Sequence, residues 1–179
     1  MEYEIKLKIK DLDEARILLD EKAVFLREIL QEDIYFKSPI RDFGLTDEAL
    51  RLRIENGKSM LTYKGPRIRT EAVKAREEIE VLVNDADAMT HILEKLGFKP
   101  FAVIRKRRRI YKYHNAYISL DNVEKIGYFI EIELIEGKPE KIFDLIADLG
   151  LSRYKTEDKT YLEMFLELNR KTGEVPRDC

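Results

Sequence analysis

Glu2, Glu4 and Lys6 alternate with Tyr3 and Ile5 in "EYEIK", at the start of the chain. Successive side chains of a strand point to opposite faces, so two carboxylates and an amine two residues apart project from one side. Carboxylate oxygens suit hard divalent cations, and an ammonium suits anionic oxygens. The pattern recurs. "LRLRI" puts Arg51 and Arg53 on one face, "LTYK" puts Thr62 and Lys64 there, and "REEIEV" puts Arg76, Glu78 and Glu80 there. Further on, "RKRRR" offers Lys106 and Arg108, "ISLD" offers Ser119 and Asp121, and "FIEIEL" offers Glu131 and Glu133.

In most of these segments, "RKRRR" excepted, the alternate positions are largely apolar, so helices must cover one face and the charged face must look the other way. Seven basic residues (Lys6, Arg51, Arg53, Lys64, Arg76, Lys106, Arg108) then accompany seven acidic ones (Glu2, Glu4, Glu78, Glu80, Asp121, Glu131, Glu133). Enclosing an ion costs several kcal/mol unless it is paired, solvated or liganded. A wet interior built for a multiply charged ligand accounts for so many ions better than structure alone. Guanidinium forks and ammonium groups suit phosphate oxygens. Paired carboxylates suit Mg²⁺ or Mn²⁺, which commonly bridge to phosphates. The combination points to a metal–polyphosphate complex, with Glu2 and Glu4 as cation ligands and Lys6 as a phosphate contact.

Other residues carry less. Glu78 and Glu80 are the weakest of the acids and read as cross-strand partners of basic residues. Alternation divides "RKRRR" between two faces, which argues against a nucleic-acid patch. His91, inside a helix, and His114, beside a turn, lack partners at metal-ligand or triad spacing and read as structural. Tyr35 in "EDIYF" reads as a packing residue within reach of a nucleotide.

The elements that position these side chains follow from periodicity and punctuation. In "DLDEARILLDEKA", Leu12, Ala15, Leu18 and Leu19 fall at helical spacing with Asp11 or Asp13 as the cap. "FLREILQEDIYFK" alternates as a strand, and "EALRLRIENGKSMLTYKG" is a hairpin around Asn56-Gly57. "PRIRTEA" reads as a basic loop and "VKAREEIEVLV" as a strand. "DADAMTHILEKLGF" is a helix capped by Asp85 or Asp87 and stopped at Gly97. "AVIRKRRRIYKY" and "AYISLD" pair, "YFIEIELIEG" adds a strand, and "KPEKIFDLIADLG" and "DKTYLEMFLELNRKTG" close the chain as helices. The expected fold is α+β: a closed eight-stranded antiparallel β-barrel with helices packed outside, because so many hairpin strands without obvious edge protection favour closure.

With 179 residues, 44% hydrophobic and 38% charged, the chain is expected to form one domain over residues 1–170 with a tail at 171–179. A net charge of −2 argues against a general nucleic-acid binder. Cys179 is the only cysteine, so neither an internal disulfide nor a thiolate metal site is expected. No apolar run approaches the ~18 residues of a membrane span, and a charged strand stands where a signal peptide would, so a cytoplasmic protein is expected.

In these motifs the sequence resembles the CYTH, or triphosphate tunnel metalloenzyme, superfamily. The hallmark E-x-E-x-K is Glu2-Tyr3-Glu4-Ile5-Lys6, and "QEDIYF", "ALRLRIENGKSMLTYKGP", the Arg76-to-Glu80 strand, "KRRRIY", "ISLDNVEKIGYFIEIE" and "KTYLEM" follow in order. The pattern is most similar to class IV adenylate cyclases, through "LTYKGP", the Lys106–Arg108 pair and "LDNVEKIGYFIEIE". The resemblance implies a triphosphate-binding tunnel with two Mg²⁺ or Mn²⁺ ions held by Glu2, Glu4, Glu131 and Glu133. Glu4 and Glu133 would be the closest ligands, and Asp121 would assist. It implies a triphosphate clamp of Lys6, Arg51, Arg53, Lys64, Arg76, Lys106 and Arg108, and a homodimer. Lys159 and Tyr161 match a late motif to which no role is assigned. Bacterial cyclases carry several residues ahead of E-x-E-x-K, whereas Glu2 here follows Met1.

Three functions stay open at this point. A cyclase would hold ATP while the ribose 3′-hydroxyl attacks the α-phosphorus and pyrophosphate departs. A triphosphatase acting on inorganic, nucleoside or thiamine triphosphate would direct water at the terminal phosphorus. A polyphosphate- or nucleotide-binding module would need no cation-binding acids.

Overall fold

The computed structural model describes residues 2–69 and 74–172. Part of the expected "PRIRTEA" loop, Cys179 and most of the expected tail lie outside the described residues. The strands are β1 (Glu2–Ile9), β2 (Val24–Lys37), β3 (Ala49–Glu55), β4 (Lys58–Lys64), β5 (Ile68–Arg69), β6 (Lys74–Arg76), β7 (Glu78–Val83), β8 (Lys99–Tyr113), β9 (Ala116–Val123), β10 (Gly127–Leu134) and β11 (Lys155–Thr156). The helices are α1 (Leu12–Lys22), α2 (Phe43–Thr46), α3 (Ala86–Lys95), α4 (Lys141–Asp148) and α5 (Tyr161–Thr172). Asp11 caps α1 through the Glu14 amide at 3.0 Å, and Asp85 caps α3 through the Ala88 amide at 2.9 Å. None of these helices is long and apolar enough to cross a membrane.

The chain forms two compact units. The first comprises residues 1–29, 68–75 and 106–159, and its strands run in the order β5-β6-β1-β10-β9-β8-β2, with β11 beside β1. One face carries Ile5, Leu7 and Ile9 of β1, Ile118 and Leu120 of β9, and Ile130 and Ile132 of β10. These pack on Ala15 and Leu19 of α1 and on Ile142, Leu145 and Ile146 of α4. Period-2 alternation therefore leaves Glu4, Lys6, Asp121, Glu131 and Glu133 on the other face.

The second unit comprises residues 30–67, 76–105 and 160–179, with strand order β8-β2-β3-β4-β7; β2 and β8 each contribute to both units. Phe36, Leu50 and Leu52 pack against Leu93 of α3, with Met89 and Phe98 at the margin. The β3–β4 turn has Asn56 at φ 49° and Gly57 at φ 75°. Two successive positive φ values match the twist of the flanking strands, and Asn-Gly tolerates them.

The expected closed eight-stranded barrel is not what forms. Eleven strands join in a sheet whose hydrogen-bonded order ends at β5 on one side and β7 on the other, and no ladder among the described residues joins those ends. The edges are managed in another way. β5 and β6 are two and three residues long, and β7 carries Glu78 and Glu80. Short strands and charges are both ways of protecting an open edge.

Candidate functional site

In the first unit, the β1–β10 register sets Glu4 opposite Glu133 and Lys6 opposite Glu131. On β9 and β8, Asp121 lies opposite Arg108. Arg108 donates from Nε to Asp121 Oδ1 at 2.7 Å and from Nη2 to Asp121 Oδ2 at 2.5 Å, and Nη2 also bonds Glu131. The Lys6 ammonium sits 3.4 Å from Glu131 Oε1 and donates to the Lys159 carbonyl at 3.2 Å. Asp121 is fully buried, and Lys6 and Lys106, on the same face by register, are buried as well. Burial alone would raise the Glu131 carboxyl, but the charges of Arg108, Lys6 and Lys106 outweigh it and hold that carboxyl well below its ordinary range. It is ionised at neutral pH.

The late motif "KTYLEM" acquires a partial role here. β11 pairs with Leu7 and Lys8 of β1, the Glu157 amide bonds the Lys6 carbonyl at 2.8 Å, and the Lys159 carbonyl receives the Lys6 ammonium. This segment holds Lys6 by its backbone, so the identity of the Lys159 side chain gave no clue to it.

The second unit carries its own charged face. Arg53 lies opposite Asp33, Arg51 opposite Tyr35 and Thr62 opposite Arg51. Arg51 Nη2 donates to Thr62 Oγ1 at 3.2 Å and is 3.7 Å from Glu80 Oε1, while Lys64 pairs with Glu78. Glu78 and Glu80 are thus cross-strand partners of basic groups. Burial first, then the Asp33 charge, pushes the Tyr35 phenol up to about 12, so it stays protonated at neutral pH. Arg76 is turned to backbone: Nε donates to the Gly65 carbonyl at 2.9 Å and Nη2 to the Asp47 carbonyl at 3.0 Å.

Asp33 escaped the reading of the sequence, and Thr62 was placed on the charged face without a role. Asp33 grips Arg53 with both oxygens, at 2.6 and 2.8 Å. Thr62 links Arg51 to Glu80, donating to Glu80 Oε1 at 2.9 Å. Alternation in "QEDIYF" puts Asp33 on the Tyr35 face, and that was the available signal.

Among the described residues, no group of three or more His, Cys, Asp or Glu side chains could hold a cation unaided. The Glu2 side chain lies outside what is described, and Glu131 is engaged by Arg108 and Lys6. What the face does offer is Glu4 and Glu133, two half-buried carboxylates set directly across from each other. Like charges in that position repel. Mg²⁺ commonly uses one or two carboxylates and completes its shell with phosphate oxygens and water, so this donor set fits a cation that arrives with a phosphate.

The chain belongs to the CYTH family, whose domain matches residues 1–161. It is 42% identical over 172 residues to a Methanocaldococcus jannaschii protein provisionally named an adenylate cyclase, a match covering 92% of this chain and 98% of that one. The structure of a Pyrococcus horikoshii protein is 40% identical with a TM-score of 0.85, covering 94% of this chain and 99% of the other. A Hippeastrum protein shares the fold at 22% identity and a TM-score of 0.73, over 98% of this chain and 97% of its own. That protein is provisionally named an adenylyl cyclase and described as having a dominant triphosphatase activity.

Proposed function

We propose that this chain is an enzyme that acts on a triphosphate with a divalent cation, Mg²⁺ or Mn²⁺, and that its reaction is the cyclisation of ATP to cyclic AMP and pyrophosphate. The observation that carries the reading is the Glu4–Glu133 pair, two carboxylates directly opposed on a face shared with Lys6, Lys106 and Arg108. Opposed acids beside three cations make sense where a cation and a polyanion bind together. When bound, such a cation neutralises phosphate charge and acidifies a coordinated hydroxyl or water.

The chain's own groups have separable tasks. Glu4 and Glu133 hold the cation. Lys6 and Lys106 present ammonium charge to phosphate oxygens. Arg108 presents a guanidinium whose orientation is set by Asp121 and Glu131. In the second unit, Arg51, Arg53 and Lys64 offer phosphate-binding chemistry of the same kind. The Tyr35 phenol, protonated at neutral pH, is not a base. Catalysis by positioning and charge neutralisation needs no side-chain base.

The name of the Methanocaldococcus relative favours cyclisation. Hydrolysis to orthophosphate is the second reading, which the description of the Hippeastrum protein brings forward. Incubation with ATP, inorganic triphosphate and thiamine triphosphate in Mg²⁺ or Mn²⁺, with products resolved, decides between them. Cyclic AMP with pyrophosphate supports the cyclase, orthophosphate selects the triphosphatase, and no turnover of any of the three defeats both.

A further inference from the structure

Asp33 stands directly opposite Arg53 on the β2–β3 ladder and is 2% exposed. Its Oδ1 accepts from Arg53 Nε at 2.6 Å and its Oδ2 from Nη2 at 2.8 Å. We propose that Asp33 is a positioning residue that fixes the plane of the Arg53 guanidinium for a phosphate group, an inference that rests on the triphosphate reading above.

Three arguments converge. First, a side-on fork through Nε and Nη2 stops rotation about the last side-chain bond. It also directs the other edge of the guanidinium, Nη1 with Nη2, away from the carboxylate, and that edge can meet two phosphate oxygens at once. Second, simple electrostatics opposes having this acid here. A carboxylate beside an anion-binding arginine lowers the local positive potential, so its presence needs a benefit other than charge. Third, stability alone does not supply that benefit, because a buried ion pair is often matched or bettered by apolar residues of similar volume. Among the described residues, Arg51 and Lys64, the other basic groups named on this face, show no such fork. Arg51 reaches Thr62 through one nitrogen, and the Lys64 ammonium has no plane to fix.

Orientation and charge predict opposite signs. If Asp33 mattered only as a charge, D33N would tighten anion binding. If it positions Arg53, D33N loosens binding, since an amide offers Arg53 one acceptor and one clashing donor. The test is calorimetric binding of inorganic triphosphate in Mg²⁺ to the wild type, D33N, R53A, R53K and D33N/R53A, with melting temperatures recorded. D33N should raise Kd at least about tenfold, the scale of a lost hydrogen bond to a charged group. In the R53A background D33N should weaken binding no further. A purely structural role would lower the melting temperature and leave the Kd of the folded protein alone. An unchanged or lowered Kd in D33N overturns the inference while leaving the triphosphate reading standing. Should D33N fail to fold, R53K decides: it keeps the charge without the plane and should bind as weakly as R53A, and wild-type binding by R53K overturns the inference. Wild type that binds no triphosphate overturns the substrate reading, and this inference with it.

Discussion

Arg108 and Asp121 face each other across β8 and β9, joined by two hydrogen bonds of 2.7 and 2.5 Å, with the Asp121 carboxylate wholly out of solvent. The same guanidinium also reaches Glu131. Arg108 therefore serves two enclosed acids, sharing Glu131 with Lys6. Removing one partner of a buried pair leaves an uncompensated charge and costs about 3–5 kcal/mol. R108A should fall in that range by urea denaturation, whereas D121N/R108M, which removes both charges of the pair, should be less destabilised than R108A. Equal losses in the two variants would show that pairing with Asp121 is not what Arg108 supplies.

Glu48 offers a pH signature away from the cation-binding acids. Hydrogen bonds from Arg41 first, then Thr46 and Tyr63, lower its carboxyl from 4.5 to about 2. A group depressed in the folded state stabilises it above the ordinary value, and that contribution is lost as pH falls towards the folded value. The melting temperature of wild type should exceed that of E48Q at pH 7, and the gap should narrow as pH drops from about 4.5 towards 2. A gap independent of pH would rule out the carboxylate as its source.

Ile132 separates packing from chemistry. It is fully buried on the apolar face, between Glu131 and Glu133 in sequence but pointing the other way. I132A should cost roughly 2–5 kcal/mol, as buried aliphatic truncations do. Below its lowered melting temperature, I132A should bind triphosphate with a Kd within about threefold of wild type, a shift of about 0.65 kcal/mol. A large change in Kd would mean that the two faces of β10 are coupled.

Alternation made much of this molecule legible. The apolar positions of "FIEIEL" and "LRLRI" fix which side meets the helices, so the facing of Glu131, Glu133, Arg51 and Arg53 follows directly. Glu78 and Glu80 were legible as partners because the hairpin order sets them opposite Lys64 and Thr62. Asp33 was harder. Gln31, Glu32 and Asp33 are consecutive, and a slip of one residue would put Glu32 on the charged face instead. In the structure Glu32 meets Arg105 at 2.6 Å and Asp33 meets Arg53. Closure was misread for a related reason: alternation says which way side chains point, not which strand ends unpaired. The open edges depend on how short β5 and β6 are, and "PRIRTEA" looked like a loop there.

The Glu4–Glu133 pair allows stability and function to be set against each other. Two carboxylates directly opposed on neighbouring strands repel, at a cost of roughly 0.2–1 kcal/mol. Replacing one by its neutral isostere relieves that repulsion and removes a cation ligand in the same step. In chelator, the melting temperature of E133Q sets that variant's own baseline. Adding Mg²⁺ with triphosphate should raise the wild-type melting temperature by mass action and leave E133Q unmoved, because a ligand stabilises only the protein that binds it. E133Q should also lose metal-dependent turnover while its circular dichroism matches wild type. An E133Q protein that gains as much from Mg²⁺ and triphosphate as the wild type would remove Glu133 from the cation site.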